Sequence, residues 1–600
     1  MRNAALLLIG FALASCGRRS EGLPPDTVLL NGKIAIVDEA FTVVEALAIR
    51  DGMVAATGTT TEIEALRGER TRVIDLKGRT VLPGFYDSHL HVRADPPRSV
   101  NLGDARSVED IQEKVRRKAQ ELGPGQWVTG WDWAEDDLKD KRRPTRLDLD
   151  AAAPDNPVTL TRAGSHSSVA NSMALSIAGI SRSTPDPPRG IIDKDANGEP
   201  TGWIRERAQT LLWDQVPEAT EAELREALVK SLKELLTLGI TSFNDAGVVV
   251  ENLARFQDVY AEYGSELPRA TLQVRLPRDK PVDEMIAVLK GIPFHTGLGN
   301  DRIKIGAIKL SIDGGYTGSA AYTLGPYKGR PDFHGSLFLE QDELTRLVRE
   351  AHSRGWQLGV HTIGDGAIEI AVNAFARVLE ETPRPNHRHY LNHMTVKPSD
   401  ATLARIKDLG LLVAQQPSFT YTLEGPYNDS LEGERLETVN PLASLEKLGI
   451  PVGLGNDNLP IGPLYSLFAA VTRKGKTGRV YGEAEAVTIE EAIRGYTRGS
   501  AYVTFDENVK GSLEPGMLAD LVVLSEDILT IDPDRLLEIE VEATMVGGEI
   551  LWGAVSDQRL VNPEARRNSL PEEYVDRLKR LSAEADFAGR SNLRYGWGLR

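Results

Sequence analysis

The sequence is short of sulfur and of positive charge. Cys16 is the only cysteine in 600 residues, so no disulfide can form within the chain. Lys and Arg number 70 against 87 Asp and Glu, a formal net charge of -17. That balance argues against a nucleic-acid partner, which needs a basic patch. The apolar run at residues 4–13 is too short to span a bilayer as a helix. Histidine is scarce, at ten residues, so the position of each is informative. What remains is ordinary: 41% hydrophobic and 26% charged residues describe a soluble globular protein. The length suits a large barrel with an attached module rather than one small domain.

The first residues read as a targeting segment. Arg2 precedes the apolar run, and Ala14-Ser15-Cys16-Gly17 supplies small residues at a cleavage point. This predicts a signal peptide over 1–15. Leu13-Ala14-Ser15-Cys16 also resembles a bacterial lipoprotein box, which implies lipidation at Cys16, a tether over 16–26 and an exported protein anchored to a membrane. The alternative is an ordinary cleaved signal with an incidental cysteine. By the same resemblance, the lack of Asp after Cys16 favours an outer membrane.

Short apolar runs follow at 27–30, 33–37, 43–49 and 72–76, punctuated by Asn31-Gly32, Asp51-Gly52 and Lys77-Gly78 as turns. Similar texture returns at 521–524 and 541–546. Segments 27–80 and 510–555 are therefore expected to pair into one composite β-sandwich. Between them, over 81–509, strand-like runs alternate with helical stretches, the pattern of βα units. Eight strand candidates end near His91, Asp245, Leu276, Lys309, His361, His393, Gln416 and Asp457. The fold class is α/β, with a (β/α)8 TIM-like barrel. An excursion of about 92–235 separates the first two strands, and a segment that long has structure of its own. The charged extension at 556–600 suggests a docked helix and no chemistry.

Asp87-Ser88-His89-Leu90-His91 is the most informative stretch. Residues i and i+2 of a strand share a face, so His89 and His91 can meet one metal ion. Such pairs also arise by chance on exposed strands. His361, His393 and Asp457 recur at strand ends with βα spacing, and barrel active sites form at the carboxyl ends of the strands. Lys309 lies within the apolar run 305–310, where a charged lysine is costly. It is either salt-bridged at the barrel mouth or carboxylated to a carbamate that bridges two ions. Lys304 is its positional rival. Five residues apart, the two lysines are expected on opposite faces of a regular strand.

These segments resemble the amidohydrolase superfamily, in particular its amidohydrolase-3 branch, over residues 27–555. Residues 81–91 are similar to the branch's first barrel strand, and Lys309 with Asp313-Gly314 to its carboxylated-lysine segment. His361-Thr362-Ile363-Gly364-Asp365 is similar to its fifth-strand motif. His393, Gly455-Asn456-Asp457 and residues 516–523 match its sixth strand, eighth strand and returning sandwich strand. Asn392 stands where the branch commonly has glutamate, and Asn456 where serine is usual. Gly164-Ser165-His166 with Asn171-Ser172 also matches the branch, which implies that His166 touches substrate; a lone loop histidine is otherwise a surface residue. Trp131, with Asp132, is a weaker candidate for substrate contact, since aromatic residues in a long insertion usually pack its own core.

The resemblance implies two divalent metal ions, zinc by ligand type, held by His89, His91, Lys309, His361, His393 and Asp457. Hydroxide formed on the metal would attack the carbonyl of a small-molecule amide, N-formyl or cyclic amide, with Asp457 as general base and then acid. Two other readings stand beside it: a surface-anchored binding lipoprotein on this scaffold, and mononuclear deaminase-type chemistry. Whether the chain forms a homo-oligomer is left open by the sequence.

Overall fold

The computed structural model describes residues 23–555, apart from 134, 136, 137, 163–166, 189, 278, 279, 317, 318 and 458–461. The expected signal peptide, Cys16, His166 and the 556–600 extension lie outside the described residues. Among the described residues, no helix is long and apolar enough to cross a membrane.

Eight parallel strands form the central barrel: β1 (Phe85–Leu90), β2 (Ile240–Val248), β3 (Arg269–Arg275), β4 (Ile303–Ser311), β5 (Leu358–Thr362), β6 (Tyr390–His393), β7 (Leu412–Gln415) and β8 (Val452–Leu454). Each pairs with the next in order, and a parallel bridge between Leu90 and Asp457 joins the last to the first. The outward strand residues, such as Ile305, Ile308 and Leu310 of β4, pack on the helices in one large apolar cluster. Those helices begin where side chains cap them. Thr220 accepts from the Glu223 N–H at 3.2 Å, while the Glu223 carboxylate accepts from the Thr220 N–H at 2.7 Å, which starts helix Glu221–Leu236.

Bulges on β1 and β4, among the irregularities of the barrel pairings, help set which residues face the barrel interior. On β1 the pairing with β2 steps from Asp87–Phe243 to Leu90–Asp245, so β1 carries one extra residue. On β4 the pairing with β3 steps from Ile305–Leu272 to Ile308–Val274, again one extra. The second bulge corrects an expectation from spacing. With one residue inserted between them, Lys304 and Lys309 project from the same side of β4, not from opposite sides. They differ in height instead. Lys304 donates to the Thr504 carbonyl at 2.7 Å and to Asp506, whereas Lys309 stands 3.3 Å from His89 Nε2.

The 92–235 excursion is a folded unit with a six-stranded sheet. Leu102, Ile111, Val115, Trp133, Leu160 and Trp203 fill its core, and the two indoles meet edge to face at 5.6 Å. The terminal segments pair with each other: Leu521–Leu524 runs antiparallel to Thr80–Pro83, with Val522 opposite Leu82. That sheet and the sheet of Thr27–Leu30 share one apolar cluster, with Leu29 and Leu47 from one and Ile34, Val81, Leu521 and Met545 from the other.

Candidate metal centre

The barrel closes at the site itself. The Asp457 N–H donates to the His89 carbonyl at 2.7 Å, and the His91 N–H to the Asp457 carbonyl at 3.4 Å. The bulge on β1 and this pairing bring His89, His91 and Asp457 together, and one ligand atom from each lies within 4.8 Å of the others. His91 Nε2 is 3.4 Å from an Asp457 carboxylate oxygen. The remaining residues continue the group. The His89 ring centroid lies 5.4 Å from His91 and 4.6 Å from His393, and His393 lies 4.4 Å from His361. Lys309 reaches His89 from β4. Thus His89, His91, Lys309, His361, His393 and Asp457 form one continuous chain of neighbours. Asp457 and His393 both hold positive φ, 62° and 77°, a strained backbone for residues with a Cβ.

Charge in this group is set by burial. Burial lowers the pKa of His89 well below the usual imidazole value, and Lys309, His393 and His91 lower it further by repulsion. His393 is lowered in the same way, by burial and then by His361 and Lys309. Burial pushes Asp457 up to about 7 against the pull of Lys309. Neutral imidazoles beside a carboxylate are the nitrogen and oxygen donors that a divalent ion such as zinc accepts. The donor set therefore fits a metal.

Several supporting residues were not assigned a role by the sequence pattern. Asp87 is fully buried and accepts from the His89 N–H at 3.0 Å, the Asn456 side chain at 2.9 Å and the Tyr496 hydroxyl at 2.9 Å. It clasps the residue before Asp457 to the strand that carries His89. Asp313 accepts from the Ile363, Gly364 and Tyr322 N–H groups at 3.1, 2.9 and 3.0 Å and fixes the turn after His361, whose Nε2 is 3.7 Å away. His89 Nδ1 meets the Asn392 side-chain oxygen at 2.6 Å, and His393 Nδ1 meets that of Gln416 at 2.6 Å. Phe419 stacks over His393 at 5.9 Å. Asp313, Asn392 and Asn456 were marked only through the resemblance, and Asp87 and Gln416 only as polar residues at or near strand ends. Trp131 does not pack into the insertion's core; its ring lies under the Arg93 guanidinium at 3.7 Å, two residues beyond His91.

A parallel eight-stranded barrel with histidines and an aspartate gathered at the carboxyl ends of its strands defines a metal-dependent hydrolase of the TIM-barrel type. The chain belongs to the amidohydrolase family, whose sequence profile matches residues 72–552. It is 33% identical over 528 residues to the YtcJ protein of Bacillus subtilis (strain 168), covering 85% of this chain and 96% of that one. The N-substituted formamide deformylase of Arthrobacter pascens is 29% identical over 554 residues, 88% of this chain and 98% of the enzyme. Among solved structures, an uncharacterized metal-dependent hydrolase from Pyrococcus horikoshii OT3 superposes with a TM-score of 0.67 at 27% identity, over 85% of this chain and 99% of its own.

Proposed function

We propose that the protein hydrolyses a carbon–nitrogen bond other than a peptide bond, in an amide, N-formyl or cyclic amide substrate, with two divalent ions held at the barrel mouth. The observation that carries this reading is the convergence of His89, His91 and Asp457 within 4.8 Å, with Lys309 3.3 Å from His89. His89 and His91 would hold one ion and His361 and His393 the other, with Lys309 bridging as a carbamate; zinc suits the donors. Bound metal would lower the pKa of water and polarise the scissile carbonyl. Asp457 takes the proton from the attacking water through its carboxylate and delivers it to the leaving nitrogen, so that an acid and an amine depart. Phe419 and the Trp131–Arg93 stack are read as pocket wall, and His166 as a substrate contact. The kinship to a formamide deformylase supports the amide class.

The compact group His89, His91 and Asp457 also favours a second reading, a single ion held by those three residues, as in mononuclear deaminase-type chemistry. A panel of N-formyl, N-acyl and cyclic amides, assayed with the parent and Asp457→Asn, tests the hydrolase reading. Loss of a proton-transfer group predicts a fall in kcat of about 10²–10⁴-fold. Equal inertness of both proteins across the panel would instead favour a binding protein on this scaffold.

The terminal sheets, with their shared apolar cluster, are read as the composite sandwich. The protein is further proposed to be exported and anchored through lipid on Cys16. Palmitate labelling of the parent in a bacterial host should vanish in Cys16→Ser; labelling that persists rules out this anchor.

A further inference from the structure

We infer that Asn392 and Gln416 are positioning residues of the metal centre: their side-chain oxygens fix His89 and His393 in the Nδ1–H tautomer and leave both Nε2 atoms free to bind an ion. This rests on the proposed reading of those histidines as ligands. The four side chains are at most 1% exposed, so both contacts are shielded from bulk solvent. Both contacts are 2.6 Å, at the short end for a nitrogen donor on an oxygen.

Which amide atom faces each ring follows from the other partners. Gln416 Nε2 donates to the Ala414 carbonyl at 3.0 Å, which turns its oxygen to His393. An amide oxygen only accepts, so His393 Nδ1 must carry the hydrogen. His89 is fixed from its other side. Its Nε2 stands 3.3 Å from Lys309 Nζ, a nitrogen that accepts no hydrogen bond either as an ammonium in the metal-free chain or as the amide-like N–H of the proposed carbamate. Nε2 therefore presents its lone pair, Nδ1 carries the hydrogen, and Asn392 must present oxygen. Reversing Asn392 would set an N–H against an N–H in a buried site. Among the described residues Asn392 Nδ2 has no hydrogen-bond partner, so there the His89 contact is what orients the amide.

Asn392 sits on β6 one residue before His393 and in register with His361, while Gln416 follows the end of β7. Each amide thus reaches a histidine on a different strand and couples the β1 and β6 ligands to their neighbours. Orientation requires only an acceptor. A carboxylate in place of Asn392 should serve, whereas an apolar isostere of either amide should not; at Gln416 a carboxylate would lose the donor to the Ala414 carbonyl. A group that holds the second nitrogen of a ligating histidine typically contributes 10- to 100-fold to metal affinity.

Zinc affinity, measured by competition with a chelating dye, tests the assignment. Asn392→Leu and Gln416→Leu should each bind zinc about 10- to 100-fold more weakly than the parent. Asn392→Asp should stay near the parent, and melting temperatures in chelator should confirm that all three variants fold. Leucine variants with parental affinity, or an Asn392→Asp variant as weak as Asn392→Leu, overturn the assignment. Where a leucine variant fails to fold, the zinc-loaded parent labelled with ¹⁵N-histidine provides the second measurement. Nδ1–H signals for His89 and His393 are expected; hydrogen on Nε2 of either overturns the tautomer. A parent that binds no zinc contradicts the metal reading instead, and the nitrogen shifts of the metal-free protein still decide the tautomers.

Discussion

Gly364 shows how little room surrounds the proposed ligands. Its φ of -83° suits any residue, so the requirement for glycine is one of space. A Cβ there would lie 1.9 Å from the Tyr322 carbonyl oxygen, a backbone atom. Gly364 also donates to Asp313 in the turn that follows His361. Gly364→Ala should therefore displace this turn, destabilise the fold by about 1–3 kcal/mol as overpacking does, and weaken metal retention at His361. A parental melting temperature with parental metal content would contradict this. At the same scale, the residues that gather at the barrel mouth were legible: His89, His91, His361, His393 and Asp457 stood out as polar residues ending apolar runs. Their partners were not. Asp87, Asn392 and Gln416 act on side chains brought near by strand pairing, and no local spacing encodes that contact. Lys304 and Lys309 were misjudged because a bulge between Ile305 and Ile308 changes the parity of the strand.

At the scale of elements, all eight barrel strands were visible as apolar runs bounded by turns, because strands buried on both faces are apolar nearly throughout. Helices such as Glu221–Leu236 and Gln341–Ser353 occupy the helical stretches expected between those strands. The sheet within the excursion was not foreseen, since short strands in a polar segment lack a long periodic signal. The segment after β8 also has a role that its sequence did not announce. Asp506 lies buried below the site and accepts from Lys304, from Lys510 at 3.1 Å and from the Tyr86 hydroxyl at 3.2 Å. Burial alone would raise its pKa, but Lys510 and Lys304 outweigh burial and hold it at about 2. The folded value is below the unfolded one of about 3.9. Its stabilisation is therefore complete above that value and lost as pH falls toward 2. From pH 5 to pH 3 the loss is about 1 kcal/mol. Asp506→Asn should be less stable than the parent at pH 5, and the gap in melting temperature should narrow by pH 3. A gap independent of pH would contradict this account.

At the scale of the whole molecule, the described residues open in the four-stranded sheet of Thr27–Leu30 and close in the six-stranded sheet that joins Thr80–Pro83 to Leu521–Leu524, with the barrel between them. Arg269 of β3 pins the barrel to the six-stranded sheet. It is 1% exposed and donates to both carboxylate oxygens of Asp520, at 2.7 and 3.0 Å. The pairing of the two ends was legible because both carry short alternating runs between glycine turns. The closure of the barrel was legible only as a count of eight strands. That Asp457 itself makes the closing bridge, and so draws the first and last strands into the site, emerges from the fold.

The central claim is a pair of metal ions that depends on Lys309. Metal content of the purified protein, measured per chain by mass spectrometry beside Lys309→Ala and Lys304→Ala, tests it directly. The account predicts two divalent ions in the parent and in Lys304→Ala, and a loss in Lys309→Ala. One ion in the parent and in Lys309→Ala alike would contradict the bridge and leave the single-ion site of His89, His91 and Asp457.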